Sequence, residues 1–324
     1  MSLFGATKGG EAVHRVVLRA GDLEVALLTH GARLQDVRLG GAPLALGTDD
    51  LAAYEGELAA MGALVAPVAN RIAGARAPLD GRVVALEPDG DGGPILHSGS
   101  GGTQGKVWTL EEAGDAHALL AVALPDGEAG FPGRRRIRAR FEVAAPATLT
   151  LRVEAETDAP SWINVANHAY WRLGGEGLGG HRLRVAAPRY LPAGRDGLVT
   201  GEIAEAEGAF DLREGRTLDP VPDLDHCFCL AGERRALVPV AWLEGPAARM
   251  ALATTEPGLP VYTGWKLRDV GARGHDGRPF GPHAGIALEP QGWPDAPNHP
   301  GWPSVRLDPG QIYRQETRWR FEGV

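Results

Sequence analysis

The feature that most constrains this chain is alternation. In HRVVLRAGDLEVALLTHGARLQDVRLGG, residues 14–41, apolar and polar residues trade places every second position, and glycine-bearing turns break the run into three short strands. RIRARFEVAAPATLTLRVEAET, residues 136–157, repeats the pattern as two strands around an AAPA break, and PVAWLEG, ARMALATTE and LPVYTGWKL continue it. Turn signals recur about every ten residues, as in all-β sandwiches and barrels. With 46 Gly and 25 Pro in 324 residues there is enough turn chemistry for many short strands. Helical periodicity is confined to DDLAAYEGELAAMGALVA, residues 49–66, where Asp49 or Asp50 can cap one or two turns before Gly56 and Gly62 interrupt. The expectation is an all-β, large antiparallel β-sandwich with few short helices. No linker or internal repeat divides the chain, so residues 1–324 are expected to form a single domain.

Bulk properties exclude several function classes. Net charge is −8, from 33 basic and 41 acidic residues, which argues against a nucleic-acid partner. The one basic cluster, RRRIRAR at 134–140, alternates with apolar residues and reads as a solvated strand face. No apolar run approaches the length of a membrane span, and MSLFGATKGG lacks the apolar core of a signal peptide, so a cytoplasmic location is expected. Cys227 and Cys229 point the same way on a strand and cannot form an ordinary disulfide. The ten histidines are dispersed without metal-ligand spacing, and neither a phosphate loop nor a G-x-S-x-G elbow occurs. No metal is expected.

What remains is acid–base chemistry. SWINVANHAYWRLGG, residues 161–175, splits with period 2: Ile163, Val165, Ala169 and Trp171 form an apolar face, and Trp162, Asn164, His168 and Tyr170 a face suited to the floor of a wet pocket. In GIALEPQ, residues 285–291, Glu289 and Gln291 lie opposite Ile286 and Leu288, and Pro290 stiffens the backbone beside the carboxylate. His97 precedes a glycine-rich loop, Asn70 and Arg71 precede a turn, and Asp225 opens DHCFCL. Each has a bland alternative: a strand-end carboxylate, a surface arginine, a turn cap. From Arg278 to Gly310 eight prolines exclude a central strand throughout and suggest a stiff surface loop beside the pocket. The set of His, Glu, Asp, Arg and aromatic residues suits proton transfer on a polyhydroxylated substrate.

Taken in order, GARLQDVRL, ANRIAG, LHSG with the following KVW, N-HAYW-LGG, FDLR, DLDHCF, EPGLPVYTGW and LEPQGWPDAPNHPGWPSVRLDPGQIYR resemble the aldose 1-epimerase (galactose mutarotase) family over most of the chain. The resemblance implies the galactose mutarotase-like supersandwich, a monosaccharide substrate in an open groove, and interconversion of its α and β anomers without a cofactor. It implies His168 as general acid, Glu289 as general base and His97 as a helper near the ring oxygen. Arg71, Asn70 and Asp225 would bind hydroxyls, and Tyr170 and Gln291 would wall the groove. Trp171, Arg172, PVANRIA and Pro290 depart from the family's usual residues and bear on which sugar is taken. Alternatives are a hexose-6-phosphate 1-epimerase, with a phosphate pocket drawn from Arg71, Arg172 or Arg189, and a non-catalytic sugar-binding module; a glycoside hydrolase would need two facing carboxylates. A monomer or homodimer is expected. At unperturbed pKa values of about 6.5 and about 4.3, imidazolium and carboxylate coexist near pH 5–6, and nearby carboxylates are expected to raise His168.

Overall fold

A computed structural model describes residues 1–324 except Asp89 and Asp91. Its strands pair antiparallel throughout. The largest sheet has nine strands and is built on the long ladder Arg135–Ala144, Thr148–Thr157, Tyr313–Gly323 and Ala248–Thr254. Against it lie a five-stranded sheet of the N-terminal residues and a six-stranded sheet ordered Tyr170–Trp171, Ile286–Leu288, Gly258–Tyr262, Asp225–Cys229, Arg189–Leu191 and Ala204–Glu205.

Alternation explains the layering. In Arg135–Ala144 every second residue, from Ile137 to Val143, is buried, and Arg136 and Arg138 face outward onto Glu111. The basic cluster is thus a solvated ion-pair face; only Arg135 turns inward. The inward residues of all three sheets form one core, joining Val25 and Leu34, Ile137 and Phe141, and Val261 and Leu288. Truncating a side chain such as Phe141 to alanine there costs about 3–5 kcal/mol. The helix expected after Asp50 is a single turn, Leu51–Tyr54. Asp50 Oδ1 accepts from the N–H of Ala52 and Ala53, and the turn ends just before Gly56.

Two expectations need correction. The segment 161–175 is three short pairings, Ser161–Trp162, Ala166–Asn167 and Tyr170–Trp171, rather than one strand. Asparagine amides take over the ladder between them: Asn164 Oδ1 accepts from Gly292 N–H at 2.6 Å, and Asn167 Nδ2 donates to the Gly62 carbonyl at 2.9 Å. Trp162 therefore leaves the pocket face and packs edge-on against Phe131 in a separate cluster, and Asn164 is structural. The proline-rich segment is not a surface loop in its middle. Residues 284–296 are buried, because the strand Ile286–Leu288 docks between Tyr170–Trp171 and Gly258–Tyr262.

Candidate active site

The six-stranded sheet builds the pocket floor by register. Tyr170 pairs with Ala287, Ala287 with Tyr262, and Tyr262 with Asp225, so one row crosses four strands. Residues paired across a ladder share a face. Tyr170, Tyr262 and Asp225 therefore stand on the side opposite Ile286, Leu288 and Val261, which are in the main core. Glu289, two residues after Ala287, joins that row's face and extends its backbone by donating to the Pro260 carbonyl at 3.0 Å. The Tyr170 and Tyr262 rings meet edge to face at 6.0 Å.

His168 enters from the neighbouring segment. Its N–H donates to the Ala63 carbonyl and its own carbonyl accepts from Gly62 N–H, so the turn at 62–63 brackets its backbone. The imidazole stacks on Tyr170 at 5.1 Å between centroids and meets His97 edge-on at 5.4 Å. His168 Nε2 lies 3.6 Å from Glu289 Oε1, and the two side chains keep 8% and 5% of their surface open to solvent. Among the described residues His168 Nδ1 and Glu289 Oε2 have no hydrogen-bond partner.

His97 follows the strand Ile95–Leu96, which pairs with Arg71–Ile72. It sits at φ 51° and Ser98 at φ 64°, left-handed backbone that non-glycine residues adopt only when held. The holding groups are visible: Ser98 Oγ accepts from Val68 N–H and donates to its carbonyl, both at 2.9 Å, and Gln104 Nε2 donates to the His97 carbonyl at 3.1 Å. Asn70 spends its amide oxygen on the N–H of Arg71 and serves His97 through its backbone. The Arg71 side chain lies against Gly197, where an added Cβ would come within 2.8 Å of its guanidinium carbon; among the described residues no carboxylate is within ion-pair reach of it. Asp225 has Lys266 Nζ at 4.0 Å. Gln291 is fully buried, its backbone paired with Gly258 in both directions and, among the described residues, neither side-chain amide atom partnered.

The structure thus brings His97, His168, Glu289 and Tyr170 into contact. Arg71 and Asp225 act on Glu289 by their charges, and Asn70 and Gln291 lie behind or beside these groups. Tyr262 was not singled out from the sequence; the register of LPVYTGW against DLDHCF is the signal that finds it. Arg172 is ion-paired with Asp276, which removes it from any phosphate pocket.

Burial sets the electrostatics. It lowers the His168 pKa to about 4, with the Arg33 charge acting in the same direction and a backbone hydrogen bond against it. This reverses the expectation that carboxylates raise it: desolvation outweighs them. Burial also pushes Glu289 up to about 8; Asp225 adds to the rise and Arg71 opposes it. His97 falls well below its usual value, mainly through burial, with His168 and Arg71 contributing. At neutral pH the His168–Glu289 pair therefore holds one proton, on the carboxyl. A pair that shares one proton in a dry cleft can pass it between two sides of a bound molecule. Among the described residues no His, Cys, Asp and Glu groups are arranged to hold a metal ion.

Comparison with known proteins points the same way. The family model described as aldose 1-epimerase matches residues 14–320. Galactose mutarotase of Rattus norvegicus is 31% identical over 341 residues, covering 99% of this chain and 97% of the rat protein. Aldose 1-epimerase of Escherichia coli K12 is 30% identical, covering 92% of this chain and 91% of that protein. Among solved structures, galactose 1-epimerase from Lactobacillus acidophilus superposes with a TM-score of 0.86 at 27% identity, covering 98% of this chain and 97% of its own. An aldose epimerase homologue from C. elegans gives a TM-score of 0.89 at 25% identity, covering 97% of this chain and all of its own.

Proposed function

The chain belongs to the aldose 1-epimerase family, and from that premise we propose how its site interconverts the α and β anomers of a free aldose. Mutarotation needs one proton taken from the C1 hydroxyl and one delivered to the ring oxygen. Glu289 takes the first as general base and His168 Nε2 delivers the second as general acid. As the C1–O5 bond breaks, its electron pair stays on O5 and C1 becomes an aldehyde. Rotation about C1–C2 turns the other carbonyl face to O5. The two groups then exchange roles: His168 recovers the O5 proton, O5 re-attacks C1, and Glu289 returns its proton to O1. Nothing is consumed and the enzyme ends in its starting state.

This reaction needs the shared proton on His168, whereas burial by itself keeps it on Glu289. Substrate hydroxyls donating to Glu289, with Arg71 nearby, favour its ionised form and send the proton across the 3.6 Å gap. The total proton count does not change. His97 donates an Nε2–H toward the ring oxygen. Arg71, Asn70, Asp225, Tyr170 and Gln291 bind or frame the ring hydroxyls. Each positioned acid or base typically contributes about 10²–10⁴-fold.

The observation that carries the reading is the 3.6 Å approach of His168 Nε2 and Glu289 Oε1 within one narrow opening. Polarimetry or NMR with pure α-anomers of glucose, galactose, xylose and arabinose tests it and ranks the sugars. H168N and E289Q should each lose about 10²-fold or more in kcat. Either variant retaining wild-type kcat on the best sugar overturns the assignment. The continuity of the core from Val16 to Phe321 supports one domain spanning 1–324. The two free, buried cysteines fit action in the cytoplasm, and among the described residues no helix is long and apolar enough to cross a membrane. A monosaccharide is the only partner the site calls for, and the protein acts as a monomer or homodimer.

A further inference from the structure

Arg33 is the most deeply buried cation in the core and has no accessible surface. It opens the strand Arg33–Leu39, just after Gly31 and Ala32 turn the chain through left-handed backbone at φ 75° and 43°. Burial lowers its pKa to about 10, so it stays charged at neutral pH. A buried charge is normally neutralised by an opposite one. Among the described residues no carboxylate lies within ion-pair reach of Arg33. Carbonyl oxygens hold it instead: Nη1 donates to Leu58 and Met61, and Nη2 to Ala59 at 2.9 Å and Gln104 at 3.3 Å. Its guanidinium carbon also sits 4.1 Å above the Tyr54 ring.

These carbonyls belong to two turns, each of which supports one histidine of the site. The turn at 58–62 runs into Gly62 and Ala63, which bracket the backbone of His168 from both sides. Gly62 also accepts from Asn167 Nδ2, immediately before His168. The other turn, Thr103–Gly105, carries Gln104, whose side chain donates to the His97 carbonyl. One rigid fork therefore ties together the supports of two imidazoles that meet at 5.4 Å.

We propose that Arg33 is a positioning residue for His168 and His97, holding the turns behind both imidazoles through one buried guanidinium. The proposal rests on the roles given above to the two histidines. Arg33 touches no reacting atom. It fixes the distance between acid and helper, and its charge lies behind His168. The other charged or titratable groups facing His168 are Glu289 and Tyr170 from the six-stranded sheet and His97 from the Ile95–Leu96 side. The Arg33 charge favours the neutral imidazole of His168.

The test compares R33Q, R33K and H168N by kcat, KM and pH–rate profile on the best aldose, with circular dichroism to confirm folding. A misplaced imidazole costs on the order of 10²-fold. R33Q should lose about 10–100-fold in kcat with KM changed less than about 3-fold. Its acid limb should move toward neutrality, since removing a cation eases protonation of His168. R33K should keep the acid limb in place and recover part of kcat, because the ammonium supplies the charge without the planar fork. A folded R33Q with wild-type kcat and an unmoved acid limb overturns the proposal. If R33Q does not fold, R33K with full wild-type kcat overturns it. H168N retaining activity would instead remove the catalytic assignment itself, so the two failures are distinguishable.

Discussion

The N–H of Asn70 donates to Nδ1 of His97 at 3.1 Å, and the N–H of His97 donates back to the Asn70 carbonyl at 3.0 Å. This reciprocal pair fixes more than position. A ring nitrogen that accepts from a backbone N–H carries no proton, so neutral His97 holds its hydrogen on Nε2.

The first prediction is that His97 is a permanent neutral donor rather than a second acid. Nitrogen-15 NMR of the imidazoles should show His97 locked as the Nε2–H tautomer and still neutral where an ordinary imidazole takes up its proton, because burial holds its pKa well below the usual value. H97N should lower kcat by about 10²-fold without shifting either limb of the pH–rate profile. A His97 resonance that titrates between pH 6 and 7 would contradict this role.

The second concerns pH. Catalysis requires one proton on the His168–Glu289 pair. Below a pKa of about 4 the pair gains a second proton and no base remains; above about 8 it loses the last and no acid remains. The kcat/KM profile, which reports the free enzyme, should thus be a plateau between about pH 4 and 8, wider than the pH 5–6 window that unperturbed groups allow. D225N should move the upper limb downward, because the Asp225 charge helps raise Glu289. A profile flat from pH 3 to 10, or an upper limb untouched by D225N, would refute the shared-proton scheme.

Much of this arrangement is legible in the sequence. Period-2 alternation placed Ile163, Val165, Ala169 and Trp171 in the core, where they lie, and set Glu289 opposite Ile286 and Leu288. What stayed hidden depends on partners distant in sequence. The break of 161–175 into three pieces follows from asparagine amides meeting Gly292 and Gly62, which local periodicity does not contain. Tyr262 becomes a pocket residue only through its register with Asp225 and Ala287. The direction of the His168 shift depends on depth of burial, which neighbouring charges alone do not reveal. Arg33, inside GARLQDVRL, reads as an ordinary polar alternation until its four carbonyl partners are seen.

The last prediction turns the same two pKa values into stability. Glu289 binds its proton more tightly folded, at about 8, than an unfolded glutamate at its ordinary value of 4.5. As pH rises from 4.5 to 8 the unfolded chain ionises first, so this residue increasingly destabilises the fold. His168 behaves oppositely. Its folded value of about 4 lies below the ordinary 6.5, so its cost is absent above 6.5 and grows as pH falls toward 4. Replacing each by a neutral isostere should release the cost where it is largest. E289Q should raise Tm by a few degrees at pH 8 and scarcely at pH 5, whereas H168N should raise it at pH 5 and not at pH 8. Thermal melts of the three proteins across that range decide the matter. Parallel Tm curves would mean that neither group is held away from its ordinary ionisation, and the neutral resting pair on which the proton transfer depends would be lost with it.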